Sequence, residues 1–349
     1  MKAAEPCPWR VGHLARGPRD AITDVPRVTV GHCTLAEHSV QTGVTVVRAH
    51  AGSHFLQKVP AAATVINGFG KSVGLLQLDE LGVFETPLAL TNTFSVPALA
   101  QAQISQAIAA HPEIGRRWPT VNPLVFECND GYLNDIQALR VQPSHYLQAC
   151  ETAESVFAQG AVGAGRGMSC FGLKGGIGSA SRVVSYATGS YTVGALVLSN
   201  FGKLKNFMLL GQPVGQRLAA RQRNVEASPP DKGSIIMVLA TDAPLDARQL
   251  RRLSVRAAAG LARTGSFYGH GSGDIALAFS TAYTIPAHTT EPMPAIALLH
   301  EQALDPLFEA AAESVEQAIL SSLWHATSVT GRDGHVRQSL RELVGASRA

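Results

Sequence analysis

Apolar residues in this chain come mostly in short unbroken runs bounded by glycine and polar residues. Ser234-Ile235-Ile236-Met237-Val238-Leu239-Ala240-Thr241 is the clearest, and it predicts a buried strand. Tyr191 to Leu198 predicts another, stopping at Ser199-Asn200-Phe201-Gly202. Shorter runs at Val28–His32, Gly43–Arg48, Ala61–Asn67, Pro87–Thr93, Asn122–Glu127 and Ile275–Ser280 extend the set. Helical composition or spacing marks Ala98–Ala110, Tyr146–Gln159, Ala247–Thr264 and Leu304–Thr327. In the last, Leu304, Leu307, Ala311, Val315, Ile319 and Leu323 recur at helical intervals. Gln216 to Lys232 is polar and predicts a surface segment.

The strands often follow one another with no helix between them. That argues against a doubly wound parallel sheet and for packed sheets covered by helices, in one domain over residues 1–349. Hydrophobic residues make up 46% and charged residues 16%, which describes a globular core. A formal charge of +3, with no basic cluster interleaved with aromatics, argues against a nucleic-acid partner. No apolar run approaches the ~18 residues that span a bilayer, so no membrane partner is expected. The first ten residues lack the apolar core of a signal peptide. Five cysteines, without C-x-x-C spacing, fit reduced thiols, and a cytoplasmic location is expected.

Several chemistries fall away on single residues. Gly70-Lys71-Ser72 resembles the end of a phosphate-binding loop, but Val65 stands where the first glycine is needed. The glycines from Gly163 to Gly178 give no dinucleotide register. No H-E-x-x-H occurs, and no metal or other cofactor is expected.

What remains centres on Gly233-Ser234. A glycine that tolerates unusual backbone angles precedes a serine at the start of a core strand. Were that bond cut, Ser234 would carry a hydroxyl and a free α-amine. The α-amine, with a pKa near ~7.7–8.0, is neutral often enough to act as its own base. The alternative is an ordinary turn. In Gly269-His270-Gly271-Ser272-Gly273-Asp274, Ser272 and Asp274 point to one side of an extended segment. They either orient a nucleophile and hold a substrate ammonium or form a capped glycine turn. Asn200 is an oxyanion donor or a turn residue, and Tyr132 a second donor or a packed aromatic.

Together these segments resemble the β-peptidyl aminopeptidase / L-aminopeptidase–D-amidase-esterase family, peptidase family S58. The resemblance runs from about Gly17 to Ser280 through Ala21-Ile22-Thr23-Asp24-Val25-Pro26, Thr86–Thr93, Asn129–Asp135, Lys174–Gly178, Gly233–Ile236 and Gly271–Asp274. It implies a four-layer αββα sandwich and a precursor that cuts itself into Met1–Gly233 and Ser234–Ala349. It further implies homo-oligomers of αβ units. By position it implies Ser234 as nucleophile, Ser272 as second catalytic serine, Asp274 as the acid beside it, Asn200 in the oxyanion hole and Tyr132 lining the pocket. The implied substrates are small peptides, amides or esters with N-terminal β-alanine, D-alanine or L-alanine. One departure is Pro26-Arg27, where relatives commonly have Pro-Gly; the long basic linker before the cut is another. Two other functions stay in play: an acyl transferase similar to ornithine acetyltransferases, against which Ser234 in place of a threonine argues, and a non-catalytic sandwich.

Overall fold

The computed structural model describes residues 6–221, 233–288 and 295–345. A four-stranded sheet is built from β1 (Thr29–Glu37), β2 (Val40–Arg48), β4 (Leu88–Asn92) and β5 (Val125–Cys128), in that order. A second, mixed sheet carries β3 (Gln57–Asn67), β6 (Gly176–Tyr186), β7 (Gly189–Asn200), β8 (Ser234–Thr241) and β9 (Gly273–Ser280). Its order is β3-β9-β8-β7-β6, with Ile285–Pro286 and Val83–Phe84 added at β3. All pairs in the second sheet are antiparallel except β8 with β9.

Side-chain alternation explains the apolar runs. Ile235, Met237 and Leu239 of β8 join a core with α5 (Ala247–Arg263) and α6 (Asp305–His325). Ile236, Val238 and Ala240 face the other way, into a core shared with Val30, Val47, Leu90 and Phe126 of the first sheet. A strand covered on both faces needs apolar residues at every position. On the first sheet's far side, Val44, Val46, Ala89 and Val125 pack against α2 (Val96–Ala110) and α3 (Pro143–Glu151). The layers are therefore helix, sheet, sheet, helix, the αββα sandwich that the resemblance implied. Gly178 shows how tightly they close. A Cβ there would lie 1.9 Å from the Ala318 carbonyl oxygen of α6, so only glycine lets helix and strand approach this far.

Two elements differ from the sequence expectation. The helix expected over Tyr146–Gln159 begins at Pro143, a favoured first-turn residue, and ends at Glu151. Beyond it the sheets capture the backbone: Glu154 bridges Val30 of β1 and Gly160 bridges Ile177 of β6. The polar segment expected over Gln216–Lys232 opens as a helix, α4 (Val214–Arg221), which buries Leu218. Its remainder, 222–232, lies outside the described residues.

Candidate active site

Strand register puts the sequence candidates in one row. At one end of the second sheet, Asn200, the last residue of β7, pairs with Ser234, the first of β8. Ser234 pairs on its other side with Gly273, the first of β9. Ser272 and Asp274 flank Gly273, and the Ser272 hydroxyl donates to Asp274 Oδ1 at 2.8 Å, with both residues buried. Asn67 at the end of β3 ties this corner down, its Nδ2 donating to the Gly269 carbonyl at 3.2 Å and to that of Ser272. Glycine at 273 is required by space: a Cβ there would stand 2.3 Å from the Phe69 carbonyl oxygen. The Gly273 N–H donates to the Gly233 carbonyl at 3.2 Å, the carbonyl of the Gly233–Ser234 peptide bond.

Ser234 is 5% exposed, and its Oγ is buried with no oxygen or nitrogen partner among the described residues, its polar neighbour being the Cys128 thiol. Strand alternation turns it, like Ile236, toward the space between the sheets. The Cys128 thiol at the end of β5 lies there, raised well above its usual pKa by complete burial and lowered slightly by the Ser234 hydroxyl. A buried, unsatisfied hydroxyl costs about 1–3 kcal/mol, and a cost of that size kept at a strand start calls for an explanation.

The Asn200 amide is held by two backbone contacts. Its Oδ1 accepts from the Ser169 N–H at 2.8 Å, and its Nδ2 donates to the Asn129 carbonyl at 2.9 Å. One Nδ2 hydrogen is left for another acceptor. Tyr132 stands one step further out, in the turn that begins at Asn129. Its ring lies between the Arg337 guanidinium, 3.5 Å from the centroid, and the stacked His335 ring at 4.6 Å. Arg337 Nε also donates to Ser169 Oγ at 3.1 Å, so a segment near the C-terminus buttresses the residue that holds Asn200.

Three neighbours escaped reading from sequence. Lys174 is fully buried, and its Nζ donates to the carbonyls of Gly165 (2.9 Å), Met168 (2.7 Å) and Gly175 (2.8 Å). Burial pulls its pKa well down. Three carbonyl acceptors nevertheless need the three N–H donors that only the ammonium has, so the proton stays. Glu127, 5% exposed, accepts from the Lys71 N–H at 2.9 Å and from the Thr93 hydroxyl, with no cation paired to it among the described residues. The loop that places Phe69 against Gly273 also brings Gly70 and Lys71 to this carboxylate. Asp130 is buried, bonded to Asn134 Nδ2 at 3.0 Å, and pushed up to about 7 by desolvation. A lysine among glycines and a carboxylate inside the apolar run Leu124–Cys128 were the available signals.

Similarity to known proteins extends over most of the chain. The family model for peptidase family S58 matches residues 20–337. A β-peptidyl aminopeptidase of Sphingosinicella microcystinivorans is 39% identical over 347 residues, covering 93% of this chain and 86% of that protein. A solved structure from Pyrococcus horikoshii superposes with a TM-score of 0.90 at 47% identity, covering 97% of both chains. The L-aminopeptidase D-Ala-esterase/amidase of Ochrobactrum anthropi, described as a variant of the Ntn hydrolase fold, gives a TM-score of 0.87 at 33% identity. It covers 97% of this chain and 96% of its own.

Proposed function

This chain belongs to peptidase family S58 and is a serine aminopeptidase of the N-terminal-nucleophile kind, and from that premise we propose that Ser234 is made into its nucleophile by cleavage of the Gly233–Ser234 bond. The observation that carries this is the row Asn200–Ser234–Gly273, with the buried Ser234 hydroxyl inside it. In the precursor, Ser234 Oγ attacks the Gly233 carbonyl carbon. The C–N bond breaks, the acyl group moves to oxygen, and the nitrogen leaves as the α-amine. Water then opens the ester, giving the Gly233 carboxylate and a free Ser234. The Gly273 N–H, already on that carbonyl, steadies the charge that develops there.

In the mature enzyme the Ser234 α-amine takes the hydroxyl proton as Oγ attacks the first carbonyl of a peptide, amide or ester substrate. It returns the proton to the leaving group, and water releases the acyl-enzyme. Asn200 contributes its spare Nδ2 hydrogen to the oxyanion, and Tyr132 lines the pocket. Ser272 relays protons, oriented by Asp274, whose Oδ1 accepts the Ser272 hydroxyl. Glu127, a buried carboxylate with no paired cation, is the better candidate to hold the substrate's ammonium group. The residues released are small, of the β-alanine, D-alanine or L-alanine type. The working particle is a homo-oligomer of Met1–Gly233 and Ser234–Ala349 pairs in the cytoplasm. No helix among the described residues is long and apolar enough to cross a membrane. The aminopeptidase relatives do not favour the acyl-transferase alternative.

Mass spectrometry of purified wild type and Ser234→Ala tests the central step. Two pieces are expected from wild type and one intact chain from the variant, which should also fail to turn over β-Ala-, L-Ala- and D-Ala-p-nitroanilide. An uncut, fully active wild type would sink the scheme.

A further inference from the structure

A cavity of about 310 Å³ lies away from this row. Arg48 at the end of β2 and Thr86-Pro87 just before β4 line it, together with Phe55, Ala107 and Ala110. Strand pairing fixes its place. Val47 pairs with Leu88 at this end of the first sheet, whereas Asn92 and Cys128 pair at the other. Four to five residues of strand separate the two ends, or about 13–16 Å at ~3.3 Å per residue.

The charges of this cavity do not balance. The Glu85 carboxylate on its wall is fully committed: it pairs with Lys58 and accepts from Asn122 N at 2.7 Å and Asn122 Nδ2 at 3.0 Å. His54 stays neutral, since burial and the neighbouring His50 and Arg48 hold its pKa well below the usual value. Ser53 and His111 satisfy one another at 2.8 Å. Arg48, half-buried, has no carboxylate paired to it among the described residues. Its guanidinium makes one hydrogen bond, from Nη2 to the Ala51 carbonyl at 3.0 Å, and its Nε is buried with no partner. The Thr86 hydroxyl, on a residue 3% exposed, is likewise buried and unpartnered. A half-buried guanidinium with spare N–H donors and a buried hydroxyl without a partner thus stand in the wall of a cavity whose other lining mixes apolar carbons with Gln103, Gln106 and the paired groups above. A carboxylate satisfies both, because a guanidinium edge matches its two oxygens.

We propose that this cavity is a second ligand site, separate from Ser234, that takes a small carboxylate with an apolar body through Arg48 and Thr86. A volume of about 310 Å³ admits a molecule of amino-acid size and not a folded segment. Shortened peptides, products of an aminopeptidase, carry that carboxylate with their ammonium several bonds away, so the C-terminal residue of such a product matches the site. Only this choice of ligand rests on the peptidase assignment.

Calorimetric titration of full-length protein with 3-phenylpropionate, and with 3-phenylpropanol as its neutral counterpart, tests the site. One carboxylate should bind per chain, equally in wild type and in Ser234→Ala, with the alcohol about tenfold weaker or worse, as loss of one charge-assisted hydrogen bond implies. Arg48→Leu should weaken the carboxylate by at least about tenfold while p-nitroanilide turnover stays at the wild-type rate. Should Arg48→Leu not fold, Thr86→Val and Arg48→Lys should each weaken binding several-fold. Equal binding of acid and alcohol, indifference to these substitutions, dependence on Ser234, or a crystal structure with a second copy of the chain filling the cavity would overturn the proposal. Because turnover is read separately, a failed titration leaves the peptidase assignment standing.

Discussion

Replacing Lys174 with methionine keeps the length of the side chain and removes its three N–H donors. Three carbonyls, those of Gly165, Met168 and Gly175, lose their partner in a region that excludes water. Each buried acceptor left unsatisfied costs about 1–3 kcal/mol. Three such acceptors give about 3–9 kcal/mol, and relief from burying an ammonium offsets part of this. The damage should also reach the chemistry. The Met168 carbonyl belongs to the peptide whose N–H, on Ser169, holds Asn200 Oδ1 at 2.8 Å. An oxyanion donor that loses its orientation forfeits up to ~10²–10³ in kcat, so a drop of at least tenfold is expected in protein that still folds. Urea unfolding gives the stability and p-nitroanilide kinetics the rate, with KM expected to change little because the substrate is not touched. A Lys174→Met protein within about 1 kcal/mol of wild type, with unchanged kcat, would refute the role assigned to this ammonium.

Two further predictions concern neighbouring elements. Burial raises Asp130 to about 7 from an ordinary carboxyl value near 3.8, so the folded state binds this proton more tightly than the unfolded state. The stability it contributes is complete below about pH 4 and is lost as pH rises through about 7. Asp130→Asn should therefore flatten the fall in unfolding free energy between about pH 4 and pH 7; urea curves at four pH values check this, and parallel profiles for the two proteins would contradict it. Arg27, the departure from the Pro-Gly that the resemblance implies, holds a left-handed φ of 73°. Arg27→Gly should raise stability by about 0.5 kcal/mol, since relief of roughly 1 kcal/mol of strain exceeds the entropy that glycine adds to the unfolded chain. A thermal shift downward would show that the arginine earns its place by other contacts.

The layers were legible because burial on two faces writes itself into sequence. Ile235 through Ala240 are apolar without a break since alternate residues serve different cores. The end of α3 was not legible. Thr152 to Gln159 has no strong breaker, and what stops the helix is the exposed edges of β1 and β6, contacts remote in sequence. Among site residues, Ser272 and Asp274 could be paired from their spacing alone, and the structure joins them at 2.8 Å. Lys174 could not be placed, because its partners are backbone carbonyls, which every residue supplies and no motif records. Arg48 reads as a routine basic strand end until Glu85 is seen to be taken by Lys58.

Strand order also constrains how the two predicted pieces behave. β8 and β9 belong to the piece that starts at Ser234, yet they sit side by side between β3 and β7, which belong to the piece that ends at Gly233. The first piece cannot complete the second sheet without them, and among the described residues the second piece adds to that sheet only this pair and the short Ile285–Pro286 strand. A cut at Gly233–Ser234 would therefore sever one peptide bond and leave the ladders from β8 to β7 and from β9 to β3 intact. The same geometry sets the order of events. Asn200 and Gly273 meet Ser234 only through those ladders, and the Gly273 N–H reaches the Gly233 carbonyl only once β9 lies beside β8. The centre proposed to cut itself does not exist before the sheet forms, so folding would have to precede the cut, and the chain's own sheet would supply the groups that make Ser234 reactive.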